Sequence, residues 1–209
     1  MRKNAGSILK KILMLMCIAV LTGILTPGIP TQAMSSRKRA LKAYEQMLSA
    51  KTMTGYSGWG TIDTENVSFV VIDVDGDKVP ELLVAGDGYY AAGVGALYTW
   101  KAGKVVTVGV FPEAFGYYKK KGIFVESHMV RTAGGVESIS YHRLKKGKSS
   151  LFLTAYKKGN SMKYYNSRGK QISRTKFKKQ LKKTVGSSKC RSVKLYRNTE
   201  KNRRKYLSK

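Results

Sequence analysis

From residue 36 onward, apolar residues first recur at helical spacing, then fall into short β-type runs, then return to helical spacing near the end. Ala40, Leu41, Tyr44, Met47 and Leu48 lie three or four apart, with Arg37, Lys38, Lys42 and Glu45 on the other side. This spacing predicts an amphipathic helix over Ser36–Ser49. The Gly-rich residues 52–60 break it. Val67–Ile72 and residues 82–85 are apolar and partly β-branched, which predicts two buried strands joined by an acidic turn. Residues 97–100 and 105–110 predict a second hairpin around Lys101-Ala102-Gly103-Lys104.

Beyond that point the turn signals become regular. Lys145-Lys146-Gly147-Lys148, Lys157-Lys158-Gly159-Asn160 and Ser167-Arg168-Gly169-Lys170 recur at spacings of 12 and 10 residues, each pair bracketing a run rich in Tyr, Phe, Leu or Ser. Such a rhythm predicts an antiparallel meander with glycine supplying positive φ at the corners. Ser173 has the hydroxyl of an N-cap, and Ile172 and Phe177 stand where a hydrophobic staple closes. Phe177, Leu181 and Val185 then form a narrow apolar stripe on a lysine-coated helix, expected to dock on the domain's own sheet rather than on a membrane. Residues 193–196 predict a last strand, and Asn198 or Thr199 can cap a short helix running to Tyr206 and Leu207. The fold class expected is α+β: an antiparallel β-meander sheet with an N-terminal helix, and C-terminal helices packed at its edge or on one face.

The acidic turn carries the most specific chemistry. Counted from Asp73, side-chain oxygens come at positions 1, 3, 5 and 9, from Asp73, Asp75, Asp77 and Glu81, and Val79 at position 7 can add its carbonyl. Clustered carboxylates repel unless a cation neutralises them, and Ca²⁺ takes about 6–8 oxygen ligands from loops of this kind. Gly76 relieves crowding as the chain curls, and Pro80 biases Val79 towards an extended conformation. An EF-hand is excluded: its glutamate belongs at position 12, occupied here by Val84, and the flanks are β-type.

The loop resembles the Asp-x-Asp-x-Asp-Gly-x-x-Asp loops of FG-GAP and related β-propeller repeats. More closely, the segment resembles a group of uncharacterised secreted proteins of clostridia-like Gram-positive bacteria, which carry Asp-x-Asp-Gly-Asp-Gly-x-Pro-Glu-Leu after an apolar strand. The likeness extends to Tyr98-Thr99-Trp100-Lys101-Ala102-Gly103-Lys104-Val105 and, loosely, to Tyr196-Arg197-Asn198-Thr199-Glu200-Lys201-Asn202. It implies extracellular calcium binding and no agreed activity. One position departs: Lys78 replaces the usual Gly at position 6. Positive φ at a non-Gly residue costs about 1 kcal/mol, and the ammonium weakens cation binding. The affinity expected is therefore on the order of 10⁻⁴–10⁻³ M, worth roughly 0.5–1.5 kcal/mol of stability at millimolar Ca²⁺. The competing reading is an acidic hairpin turn that holds no metal.

Charge divides the chain. Of 40 basic and 12 acidic side chains, residues 138–209 hold 24 basic and only Glu200, whereas residues 34–137 are nearly balanced. A polycation of this kind favours anionic polymers such as teichoic acid or acidic glycans, weakly and electrostatically. Specific nucleic-acid recognition is not expected, because Tyr141, Tyr156, Tyr164 and Tyr165 are spaced for strand alternation. Arg2, Lys3, Lys10 and Lys11 precede an apolar stretch over residues 12–25, and Thr31-Gln32-Ala33 offers a cleavage site. Residues 1–33 are thus expected to be a signal peptide, and 34–209 a single secreted or cell-wall-associated domain, monomeric and without a transmembrane span. After cleavage Cys190 would be the sole cysteine, so no internal disulfide can form.

Enzyme signatures are weak. His128 and His142 lie 14 residues apart without a metal-ligand spacing, Cys190 has no evident base, and Glu113, Glu126 and Glu137 could supply paired carboxylates only by spatial coincidence. No nucleophile elbow occurs, and Gly147-Lys148-Ser149 has His142 where a phosphate-binding Gly-x-x-x-x-Gly-Lys-Ser/Thr loop needs its first glycine. The hairpin Tyr164-Tyr165-Asn166-Ser167-Arg168-Gly169-Lys170 resembles aromatic cell-wall-binding hairpins, in one copy and without tryptophan. The function expected is a secreted calcium-binding protein, a non-catalytic module that associates with anionic cell-envelope or host polymers. The alternative is an extracellular hydrolase of glycan or nucleic acid with a structural calcium.

Overall fold

In the computed structural model, which describes residues 34–53, 61–86, 95–111, 114–130, 136–158 and 160–208, Ser35 caps the first helix by accepting from the Lys38 amide. That helix, α1 (Ser36–Ser49), has the predicted bounds and buries Ala40, Leu41, Tyr44 and Leu48. The expected signal peptide, and most of the Gly-rich stretch after α1, lie outside the described residues. Ser35–Lys209 form one compact unit.

The fold is α+β and antiparallel, as the pattern predicts, but its strands divide between two large sheets. Four consecutive strands, β3 (Val67–Ile72), β4 (Glu81–Gly86), β5 (Gly95–Lys101) and β6 (Lys104–Phe111), form one meander. Six more, β7 (Ala114–Tyr118), β8 (Ile123–Val130), β9 (Val136–Lys145), β10 (Lys148–Lys158), β11 (Ser161–Asn166) and β12 (Gln171–Ile172), form the other. A small pair, β1 (Thr52–Met53) and β2 (Ile62–Asp63), precedes a 3₁₀ turn at Thr64–Asn66. Period-2 alternation reports that a residue faces a core, but not which sheet its strand joins. The hairpin corners have the expected chemistry: Ala102-Gly103 and Lys146-Gly147 all adopt positive φ, the backbone of a two-residue turn matched to strand twist.

Alternation sorts the two faces of each sheet. Val67, Phe69, Leu82, Val84, Ala96 and Tyr98 pack with α1. Leu83, Leu97 and Val108, on the opposite face, meet Phe115, Phe124 and Leu144 of the second sheet. On β8, Phe124 points into that shared layer, whereas Ile123 and Val125 pack on the other side with Leu181 and Val185 of α2 (Arg174–Val185). The α2 stripe therefore docks on the domain's own sheet, as expected. Ser173 caps α2 by accepting from the Lys176 amide, with Ile172 and Phe177 in one apolar cluster.

The C-terminal segment corrects the expected strand at 193–196. It makes two short strands instead: β13 (Arg191–Ser192) pairs β7 in one sheet, and β14 (Tyr196–Arg197) pairs β3 in the other. Val193 and Leu195 lie between them and pack into the inter-sheet core. Thr199 is the cap of α3 (Glu200–Leu207), accepting from the Asn202 amide. Asn198 acts as a buried clasp, donating to the carbonyls of Leu48 (2.7 Å) and Thr64 (2.9 Å) and accepting from Arg203 (3.0 Å).

Candidate metal centre

The acidic loop leaves β3 at Ile72 and re-enters the sheet at Glu81, the residue opposite Ile72 in the β3–β4 register. Its curl comes from its own aspartates. Asp73 Oδ1 accepts from the Gly76 amide (2.7 Å), Asp75 Oδ1 from Asp77 (3.2 Å) and Asp77 Oδ1 from Val79 (2.7 Å). Such local bonds set the shape of a turn without help from the sheet ladder. Gly76 needs its missing side chain twice over: its φ is +81°, and an added Cβ would stand 3.2 Å from the Lys120 Cβ.

Carboxylate oxygens of Asp73, Asp75 and Glu81 all lie within 4.8 Å of one another, and this group could hold a metal ion. At that distance two unit charges repel by roughly 3 kcal/mol in a medium of effective dielectric ~20. Glu81 is 1% exposed, an extreme position for an acid. Its Oε2 accepts from the Val74 amide (2.9 Å) and its Oε1 from the Thr99 hydroxyl (3.3 Å). A carboxylate has about four acceptor sites, so both oxygens retain lone pairs for a cation. Burial pushes the Glu81 carboxyl up to about 8; the Asp75, Asp77 and Asp73 charges add to this, and the Val74 amide opposes it. Burial likewise raises Asp75, where the Asp77 amide opposes it. A hard divalent cation would reverse both effects by favouring the charged forms. The donor set is all oxygen, as Ca²⁺ or Mg²⁺ requires, with no thiolate or imidazole.

The remaining predicted ligands stand differently. The Asp77 carboxylate is outside the close group and holds the Val79 amide. Val79 is half-buried against the α1 side of the core. Lys78, exposed at the loop tip, does take a φ of +72°, the left-handed conformation that favours glycine.

Three supports were not legible in the sequence. Tyr44, read there only as a core position, donates its hydroxyl to the Pro80 carbonyl (2.8 Å) from α1, and burial, then the Glu81 charge, hold its phenol far above the ordinary value. Thr99 reaches Glu81 from β5. The β7–β8 turn straps the loop's first residues: Lys120 N donates to Asp73 O (3.2 Å) and Gly122 N to Val74 O (2.8 Å). Only the strand-like alternation around Thr99 could have hinted at one of them, since the rest depend on contacts distant in sequence.

The residues considered for catalysis form no second constellation among the described residues. His142 Nε2 lies 3.1 Å from Glu126 Oε1, an ion pair only when the imidazole is protonated, and its ring stacks on Phe124 at 5.1 Å. His128 falls on β8 and Glu137 on β9, but their side chains, like all of Glu113, lie outside the described residues. Cys190 is exposed as a residue and unbridged, but its sulfur lies against Gly116, and this partial desolvation raises the thiol pKa, which keeps it from being a ready nucleophile. Among the described residues, no helix is long and apolar enough to cross a membrane. No protein-family model, curated protein or solved structure matches the chain.

Proposed function

We propose that this chain is an exported calcium-binding protein whose ion ties β3 to β4, and whose cationic surface associates without catalysis with anionic cell-envelope or host polymers. The observation that carries the reading is the convergence of Asp73, Asp75 and the buried Glu81 within 4.8 Å, on a loop already curled by its own aspartates. Asp77 and the Val79 carbonyl complete the set through water or a small closure of the loop. Calcium is favoured over magnesium because a loop of irregular oxygens suits a flexible coordination shell better than a strict octahedron. The metal is structural here: it removes carboxylate repulsion and leaves the adjacent strands their register. Export follows from the basic and apolar N-terminal pattern, and polymer association from the 24 basic residues of the last third.

Thermal unfolding of the purified protein, with millimolar Ca²⁺ and with chelator, tests the metal. The melting temperature should rise by about 2–5 °C with Ca²⁺, and Asp75→Ala should abolish the rise. An identical melting temperature in both conditions would refute the calcium reading.

A further inference from the structure

We propose that the cleft between β10, the β11–β12 turn and α2 is a binding site for the phosphodiester groups of a polyol-phosphate polymer. This rests on the polyanion reading above and gives it an address. The cleft has a volume of about 530 Å³ and is lined by Arg143, Arg168, Lys183 and the polar side chains of Asn166, Gln180 and Thr184, among others. Among the described residues, none that line it is a carboxylate. Three cations around one concavity, without an acid to neutralise them, focus a positive field on whatever enters.

The fold positions the Arg143 guanidinium and the backbone that carries Arg168. Arg143 Nη2 donates to Thr184 Oγ1 (3.4 Å), which itself donates to the Gln180 carbonyl (3.3 Å), so β9 and α2 share the guanidinium. A register slip in β10 between Leu151 and Leu153 leaves Phe152 as an extra residue, and the Arg143 guanidinium lies 4.6 Å from its ring centre. Bulges of this kind re-aim a side chain. Arg168 rides a turn tied down by Asn166 Oδ1, which accepts from the Arg168 and Lys170 amides, both at 3.0 Å. A guanidinium held as that of Arg143 is loses little freedom on binding a tetrahedral oxyanion, and a planar guanidinium such as that of Arg168 can meet one through two parallel bonds.

The same geometry narrows the partner. Among the described residues Phe152 is the one aromatic in the lining, and its face is taken by Arg143. No open ring is left for a nucleobase or a sugar ring to stack upon. The Asn166 NH₂, whose Oδ1 is already taken by the turn, and the Gln180 side-chain amide instead offer hydrogen bonds suited to the free hydroxyls of a linear polyol.

Binding of the full chain to purified glycerol-phosphate polymer, measured between 50 and 200 mM NaCl, tests the site. Arg168→Ala/Lys183→Ala should weaken binding about tenfold and flatten the log K against log salt slope by roughly 1.4, on the order of 0.7 per lost phosphate contact. Both residues are exposed, so the fold should persist. The charge-matched Lys42→Ala/Lys201→Ala, on α1 and α3, should change binding less than twofold. Equal losses from the two pairs would overturn the cleft but not the polyanion reading. Tighter, cleft-dependent binding of heparin or single-stranded DNA would overturn the polymer class. No binding by the unaltered chain would overturn both this proposal and the polyanion reading beneath it.

Discussion

Glu81→Gln separates the two opposing roles that a buried carboxylate plays in this loop. Without a cation, burial raises the Glu81 carboxyl from its ordinary 4.5 to about 8. A pKa raised on folding gives stability that is complete below the unfolded value and is lost as pH climbs through the folded one. The metal-free protein should therefore weaken between about pH 4.5 and 8, by on the order of 5 kcal/mol in all, with roughly 3 kcal/mol already gone at pH 7. Asp75, raised in the same direction, adds to the trend. Calcium requires the ionised form, so its binding releases a proton, and its affinity should rise about fivefold from pH 7 to pH 8. Glutamine keeps the acceptor for the Val74 amide, and its NH₂ can donate to the Thr99 hydroxyl. Urea unfolding of both proteins at pH 5, 7 and 9, metal-free and with 5 mM Ca²⁺, reads the difference. The metal-free variant should keep only the Asp75 part of the pH trend and be more stable than the unaltered protein at pH 9, yet gain almost nothing from Ca²⁺. A metal-free protein whose stability is level from pH 5 to 9, with a variant equally responsive to Ca²⁺, would refute the reasoning.

Three further outcomes follow from single positions. Lys78→Gly relieves a φ of +72° and removes an ammonium from the loop, so Ca²⁺ affinity should rise several-fold in a titration followed by unfolding; unchanged affinity would mean that Lys78 stays clear of the ion. Gly76→Ala should cost about 1–3 kcal/mol in denaturant unfolding and weaken Ca²⁺ binding, because φ is +81° and the added methyl group would stand only 3.2 Å from the Lys120 Cβ. Asn198→Asp replaces the donor shared by the Leu48 and Thr64 carbonyls with a third acceptor, and should cost about 3 kcal/mol at neutral pH with Ca²⁺ affinity per folded molecule unchanged.

Local structure was readable wherever it depended on neighbours in the chain. The bounds of α1, the caps at Ser173 and Thr199, and the glycine corners at Gly103 and Gly147 all follow from side chains within a few residues. The acidic turn was visible for the same reason, since three aspartates at alternate positions curl one loop. What stayed hidden is long-range. The alternation of Phe124 against Ile123 and Val125 marks two buried faces without saying that a second sheet covers one and α2 the other. Residues 191–197 have one strand-like composition, yet they cross between sheets and pair with β7 and β3 in turn. Asn198 has the chemistry of a cap, but its amide finds the end of α1 instead. The strap from Lys120 and Gly122 onto the loop had no local signature at all.

The most direct test of the central claim is diffraction from crystals grown in millimolar Ca²⁺, with an anomalous difference map. The account predicts one peak about 2.3–2.6 Å from oxygens of Asp73, Asp75 and Glu81, lost in Asp75→Ala crystals. A featureless map at the loop, with Glu81 still on the Val74 amide, would contradict it.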